Sequence, residues 1–176
     1  MLSDLPALIA MGAQARLAGS TGDRWVALED FFLGPYETTL RPGELLAELV
    51  VPRPPAGAGG CHMKFTIGSP ANKPVANVSC FLRLDGGRVA EARIIMGAVG
   101  GVPTPARAAA EILAGEAPGD KLIAAAAETA AAEADPIEDL RGPIWYKRRM
   151  VRVLVARGVR CALQRAQSPP QGGDVP

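Results

Sequence analysis

The stretch ANVSCFLRLDGGRVAEARIIMGAV, residues 76–99, decides the fold of this chain. Two largely apolar runs flank Asp85-Gly86-Gly87, and an Asp-Gly pair between such runs is a specific signal for a β-hairpin. In the first run, every second residue from Val78 to Leu84 is apolar, so these residues share one face. We therefore predict two antiparallel strands with one apolar face and a second face that meets solvent or a neighbouring layer.

The residues around this hairpin extend it to an α+β pattern. The run HMKFTI, residues 62–67, predicts a third strand. Thr104 and Pro105 would supply the N-cap and first position of a helix, and Asp120 would cap the next one. Three antiparallel strands followed by helices predict an α+β unit with the helices on one face of the sheet. The three predicted helices cover residues 105–113, 121–134 and 143–166.

The first third of the chain has the pattern of a smaller unit. The Pro- and Gly-rich stretch RPPAGAGG, residues 53–60, predicts a linker or an exposed loop that separates this unit from the sheet. We therefore divide the chain into residues 1–52, a linker at 53–60, a second domain at 61–167 and a disordered tail at 168–176. Within the first unit we predict a short helix at residues 5–12, a hairpin turning at 19–23, a helical turn at 29–33 and a strand at 45–51.

Composition limits the classes of function. The net charge of +1 gives no reason to expect nucleic acid, and no apolar run reaches the roughly 20 residues that span a bilayer, so we expect a cytoplasmic protein. Cys61, Cys80 and Cys161 are widely spaced and His62 is the single histidine, which predicts neither a disulfide framework nor a metal site. Any redox metal is therefore expected on another chain. No residue stands out as a general acid, base or nucleophile, so we assign no catalytic residue.

Three features leave more than one interpretation open. The last predicted helix carries seven basic residues, with no acid between Asp139 and Asp174, which suits a solvated or intersubunit face better than nucleic acid. The stretch GAVGGVPTPAR, residues 97–107, could cradle a phosphate at a helix start or make a tight connection between a strand and a helix. Lys64, in a predicted strand beside the linker, could meet an anionic ligand or face solvent.

Several stretches, taken in order, resemble a known family. They are similar to parts of the flavin-binding medium subunit of the molybdenum hydroxylases, a group that includes the carbon monoxide and xanthine dehydrogenases. The resemblance covers the chain from Ser3 to about Arg165, and the order of the stretches is more specific than any one of them. The stretches are SDLPALIAMGA at residues 3–13, DFFLGPYETTLRPGELLAELVVP at 30–52, GAVGGVPTPARA at 97–108 and ADPIEDLRGPIWYKRRMVRVLVAR at 134–157.

The resemblance implies a flavoprotein that works within a hetero-oligomer. The chain would bind FAD and pass electrons from the [2Fe–2S] clusters of a small partner subunit to an external acceptor, while a large subunit holds molybdopterin. Residues 1–52 would be the C-terminal part of the second FAD-binding subdomain, and residues 61–167 the family's C-terminal domain, a three-stranded antiparallel sheet with helices. The family's first subdomain, with its glycine-rich diphosphate motifs, has no counterpart in these residues, so we expect a partial FAD site.

Three residues match positions that the family places at the flavin. Asp4 would accept hydrogen bonds from flavin or ribose hydroxyls, Leu46 would form an apolar wall beside the isoalloxazine ring, and Lys64 would stabilise the reduced, anionic flavin. The stretch SPANKPVANVS, residues 69–79, departs from the commoner family form, which has an acidic residue there, and leaves the electron acceptor open.

A second function hypothesis belongs to a different class. In this alternative the chain is a non-enzymatic assembly module that docks the iron–sulfur subunit through its basic helix and does not bind FAD by itself. The substrate of such a complex would be selected by the large subunit, so these residues leave it open.

Overall fold

The computed structural model describes residues 4–168, so all but Ser168 of the predicted tail lies outside the described residues. These residues form nine strands and four α-helices, and a 3₁₀ turn at Leu28–Asp30 takes the place of the helical turn predicted at 29–33. The strands are β1 (Gln14–Gly19), β2 (Gly22–Ala27), β3 (Phe32–Gly34), β4 (Glu37–Thr38), β5 (Leu45–Val50), β6 (Ala58–Phe65), β7 (Ala76–Asp85), β8 (Arg88–Gly97) and β9 (Thr104–Pro105). The helices are α1 (Leu5–Ala10), α2 (Arg107–Leu113), α3 (Asp120–Glu133) and α4 (Ile144–Gln167).

The main sheet is antiparallel, with strand order β6-β7-β8-β9. The hairpin between β7 and β8 turns at Gly86 and Gly87, whose φ angles of 55° and 78° are those that a tight two-residue turn requires. The predicted hairpin and the α+β class are therefore confirmed.

Three helices cover one face of this sheet. α4 packs on β6 and β7, α3 packs on α4, and α2 packs against α3 and β8. The apolar face of β7, from Val78 to Leu82, is buried beneath them, and the alanines of α3 allow the helices to approach closely. The predicted placement of the three helices on one side of the sheet therefore agrees with the structure.

The second face of the sheet is covered by the first segment of the chain. α1 packs on β6, β7 and β8, and its Ile9 and Ala10 share a core with Phe81 and Ile95 of the sheet. A small antiparallel sheet of order β2-β1-β5 continues this core through Ala15 and Leu17 of β1. We call the contact between α1 and strands β6–β8 the seam.

Several predicted boundaries are wrong in detail. β6 begins at Ala58, so the last three residues of the predicted linker, 58–60, belong to a strand. Thr104 and Pro105 are not the start of a helix, because they form β9 beside β8, and α2 begins at Arg107. With β9 the sheet has four strands rather than three. Asp120 is the first residue of α3, not its cap, which is Gly119. Within residues 4–168, no helix combines the length and apolarity needed to cross a membrane.

Candidate functional site

A polar cluster lies at the N-terminal end of α1, where the seam opens. His62 and Lys64 lie two residues apart on β6 and therefore point to the same side of the sheet. Asp4, the residue before α1, brings its carboxylate to 3.9 Å from His62 Nε2. Ser79, directly opposite His62 on β7, shares a 2.7 Å hydrogen bond with His62 Nδ1. The structure thus gathers two of the three predicted flavin residues, Asp4 and Lys64, around one histidine.

The charges of this cluster come from Asp4 and Lys64. Burial lowers the pKa of His62 below its ordinary value, the Asp4 carboxylate opposes that shift, and the Lys64 ammonium adds to it. Burial therefore favours the neutral form of His62. Its Nε2 atom is buried and makes no hydrogen bond to any residue between 4 and 168. Lys64 donates a 3.0 Å hydrogen bond to the carbonyl of Pro70, which ties β6 to the loop that follows it.

Leu46 lies on a different sheet from this cluster. It stands opposite Leu17 on the β1–β5 pair, and it is 43% exposed whereas Leu17 is fully buried. Its neighbours on β5 are also exposed, among them Leu49 and Val50. Leu46 therefore lies on an apolar, accessible edge strand.

The glycine-rich stretch at residues 97–107 is explained by packing. A Cβ on Gly97 would lie 2.8 Å from Pro6 Cγ, so the glycine lets α1 approach β8. The backbone amides of Ala108 and Ala109, at the start of α2, donate hydrogen bonds of 3.0 and 3.1 Å to the Glu133 carboxylate. These amides already hold an anion, so the phosphate-cradle interpretation is wrong and the tight connection is the correct one.

The basic residues of α4 mostly bond within the chain. Lys147 is buried, and its Nζ lies 2.8 Å from Asp139 Oδ1. The predicted solvated face is therefore wrong at this position. Arg152 pairs with Glu128, and Arg160 pairs with Asp120.

The three cysteines are not arranged for chemistry. Cys61 and Cys80 are buried on neighbouring positions of β6 and β7, as small core residues. Burial, with a smaller contribution from Cys161, raises the pKa of the Cys61 thiol to about 12, and burial also raises that of Cys80. Across the described residues no group of His, Cys, Asp or Glu side chains is placed to hold a metal ion.

His62 and Ser79 belong to this cluster but were not among the residues predicted from the sequence. His62 is the one that contacts Asp4. Its i+2 relation to Lys64 was visible in the sequence, but its contact with Asp4 depends on how α1 crosses the sheet.

Known proteins match the chain along almost its whole length. The family described as "FAD binding domain in molybdopterin dehydrogenase" matches residues 2–54, and the family described as "CO dehydrogenase flavoprotein C-terminal domain" matches residues 72–162. The carbon monoxide dehydrogenase medium chain of Afipia carboxidovorans is 36% identical over 169 residues, which are 94% of this chain and 58% of that protein. The chain thus spans little more than half the length of such relatives.

Solved structures give the same result. Carbon monoxide dehydrogenase from Hydrogenophaga pseudoflava superimposes with a TM-score of 0.87 at 34% identity, over 92% of this chain and 56% of that one. Quinoline 2-oxidoreductase from Pseudomonas putida 86 gives a TM-score of 0.82 at 29% identity, over 93% of this chain and 56% of that one. By sequence and by fold, the chain belongs to the family of FAD-binding medium subunits of the molybdenum hydroxylases.

Proposed function

We propose that the chain contributes to the FAD site of a molybdenum hydroxylase complex and carries electrons from partner iron–sulfur clusters to an external acceptor. The observation that supports this most directly is that Asp4 and Lys64 both lie beside His62 at the seam. Asp4 belongs to the segment that matches the FAD-binding family, and Ser79, which is hydrogen-bonded to His62, belongs to the segment that matches the C-terminal family. His62 and Lys64 lie on β6, between the two matched segments. A site assembled from both matched segments fits the placement of ligand sites at junctions between structural units.

The residues at the seam have the chemistry that a flavin requires. The Asp4 side chain is 77% exposed, so its carboxylate is accessible to a ligand hydroxyl. The Lys64 ammonium offers positive charge, and the half-buried His62 ring lies beside the Asp4 carboxylate. FAD, when bound, supplies the redox chemistry, and the chain supplies binding, orientation and charge.

Leu46 has a separate part in this proposal. It would supply an apolar wall for the ring, and its exposure on β5 keeps that surface accessible. The partner subunits, with [2Fe–2S] clusters on the small one and molybdopterin on the large one, belong to the same proposal. A cytoplasmic location is also part of this proposal.

The proposal is tested by producing the chain together with the small and large subunits. We expect a complex that contains FAD, and its flavin absorbance should bleach on addition of carbon monoxide, the substrate for which two of the relatives are named. A complete complex that releases no FAD on denaturation would contradict flavin binding, and a flavin that stays oxidised while the iron–sulfur clusters are reduced would contradict electron transfer.

A charge variant makes this test specific to the seam. Lys64→Met removes the positive charge but keeps an unbranched side chain. Loss of about 1.4 kcal/mol of stabilisation of the reduced flavin would lower a two-electron potential by about 30 mV. Lys73→Met, at an exposed position in the loop after β6, is the matched control and should leave the potential unchanged. Equal flavin potentials in the two variants would show that Lys64 does not stabilise the reduced flavin.

The second candidate function, a docking module that holds no flavin of its own, is favoured by exposed apolar side chains at the start of α4. Flavin content decides between the two, because the docking module would assemble with its partners into a complex that contains no FAD.

A further inference from the structure

An open groove of about 700 Å³ lies between the end of α3 and the start of α4. Trp145 and Ile144, from the first turn of α4, form its apolar part, and they are 64% and 41% exposed. Three arginines of α4 form its basic part, at positions 148, 149 and 152. The groove lies on the helical side of the sheet, whereas α1 and the seam lie on the other side. We call it the Trp145 groove.

Exposed apolar side chains lie both in this groove and beside it. Ile137 and Leu140, on the turn that precedes α4, are 75% and 106% exposed, so four large apolar residues are accessible within residues 137–145. Apolar patches of this kind on a folded protein mark interaction sites. Trp145 is also held in place, because its ring packs edge-to-face on Tyr146 with centroids 5.8 Å apart, and Tyr146 packs on Phe65 in the same way.

The arginines differ in how they are bonded. Arg148 donates a hydrogen bond of 3.2 Å to the carbonyl of Ala134, and Arg152 pairs with Glu128 at 3.1 Å. Arg149 makes no hydrogen bond or ion pair with another residue of the 4–168 segment. Three arginines against Glu128 and Glu138 give the lining a net charge of +1. The first turn of α4 carries no acidic residue to offset the positive end of that helix.

We propose that the Trp145 groove docks a partner subunit of the complex, whose acidic surface pairs with Arg149 and inserts an apolar side chain beside Trp145. Interfaces concentrate binding energy in tryptophan and arginine, and this groove is lined by both. A second copy of this chain fits less well, because a twofold contact would bring the same basic lining against itself. The inference rests on the proposed function only in that it assumes a multi-subunit complex.

Hydrogen exchange in the assembled complex tests the contact directly. The full chain is produced with the small and large subunits, and amide exchange of residues 137–152 is compared with that of the chain alone. We expect at least tenfold slower exchange in the complex.

Two variants separate the apolar and charged parts of the contact. Trp145→Ala should weaken assembly at least about 30-fold, as expected for a central aromatic anchor, and Trp145→Phe should restore most of it. Arg149→Glu should weaken assembly about tenfold and reduce its dependence on salt. Arg157→Glu is the matched control, because Arg157 is exposed on the same helix but does not line the groove, and it should assemble as the wild type does.

Each other outcome refutes the proposal. Unchanged exchange at residues 137–152 in a complete complex would show that no partner covers the groove. Protection that appears in the chain alone, together with a doubled mass, would make a second copy the occupant. Equal effects of Arg149→Glu and Arg157→Glu would remove the charged contact. Flavin absorbance of the same samples reports the proposed function separately: flavin present with an exposed groove refutes only the docking, and a protected groove without flavin refutes only the flavin site.

Discussion

The buried ion pair between Lys147 and Asp139 should make a large contribution to stability. Lys147 is 1% exposed, and its Nζ contacts Asp139 Oδ1 at 2.8 Å and donates a 2.7 Å hydrogen bond to the carbonyl of Ile137. Asp139→Asn preserves size but leaves the buried ammonium without its counter-charge. Breaking a buried pair in this way costs about 3 kcal/mol, at the lower end of the usual range because the Asp139 side chain is 20% exposed.

The double variant makes the reasoning quantitative. Lys147→Met removes the buried charge and keeps the apolar stem, so Asp139→Asn combined with Lys147→Met should cost only about 1–2 kcal/mol. The second substitution therefore rescues the first, and the coupling exceeds about 1 kcal/mol. Asp120→Asn, which breaks the exposed pair with Arg160 at 2.8 Å, is the control and should cost under about 1 kcal/mol.

Urea unfolding at neutral pH, followed by far-UV circular dichroism, measures these free energies. An Asp139→Asn protein within about 0.5 kcal/mol of wild type, below the range expected for a broken buried pair, would refute the account. So would a double variant whose cost equals the sum of the two single costs. The hydrogen bond from Arg141, with a second from Lys147, holds the pKa of Asp139 well below its usual range. This stabilisation is therefore complete above the ordinary carboxyl pKa and is lost as the pH falls through the lowered one.

Three further outcomes follow from particular contacts. Gly158→Ala places a methyl group 2.9 Å from Cys80 Sγ and should destabilise the chain by about 1–3 kcal/mol, although alanine has the better helix propensity. Adding Cys80→Ala should relieve this loss. Urea unfolding measures both free energies. The Glu44 carboxyl should titrate with a pKa of about 2 in carbon-detected NMR, because Arg24 binds its carboxylate. In Arg24→Met the pKa of Glu44 should rise towards 4.5. In the wild type the pair stabilises the chain above pH 4.5, and this stabilisation is lost as the pH falls to about 2. The variant should lack this pH-dependent stabilisation. Iodoacetamide at mildly alkaline pH should label partly exposed Cys161 in the folded chain and Cys80 only after unfolding, as read by peptide mass spectrometry.

Local signals predicted the parts of the fold that local physics determines. The Asp-Gly-Gly turn fixed the β7–β8 hairpin, because Gly86 and Gly87 adopt the positive φ angles that such a turn needs. The predicted helix at 143–166 agrees with α4 to within one residue at each end, because its apolar residues recur at helical spacing.

Long-range contacts explain the errors. Gly59 and Gly60 resemble linker residues, yet they lie in β6 beneath α4. A Cβ on Gly59 would lie 2.2 Å from the carbonyl oxygen of Ala162, so the glycine is required by the close approach of a helix. The start of α2 was misplaced because its amides are capped by Glu133, a residue 24 positions further along the chain. Neither partner can be identified from a local window of sequence.

The candidate site also depends on long-range contacts, since it forms where two distant segments pack together. Asp4 reaches His62 because Ile9 and Ala10 of α1 are buried against Phe81 and Ile95 of the sheet. Gly97 allows that approach, as any larger residue would collide with Pro6. The geometry of the polar cluster is thus set by an apolar contact behind it. A substitution that loosens the contact should disturb the cluster even though it touches none of the polar residues.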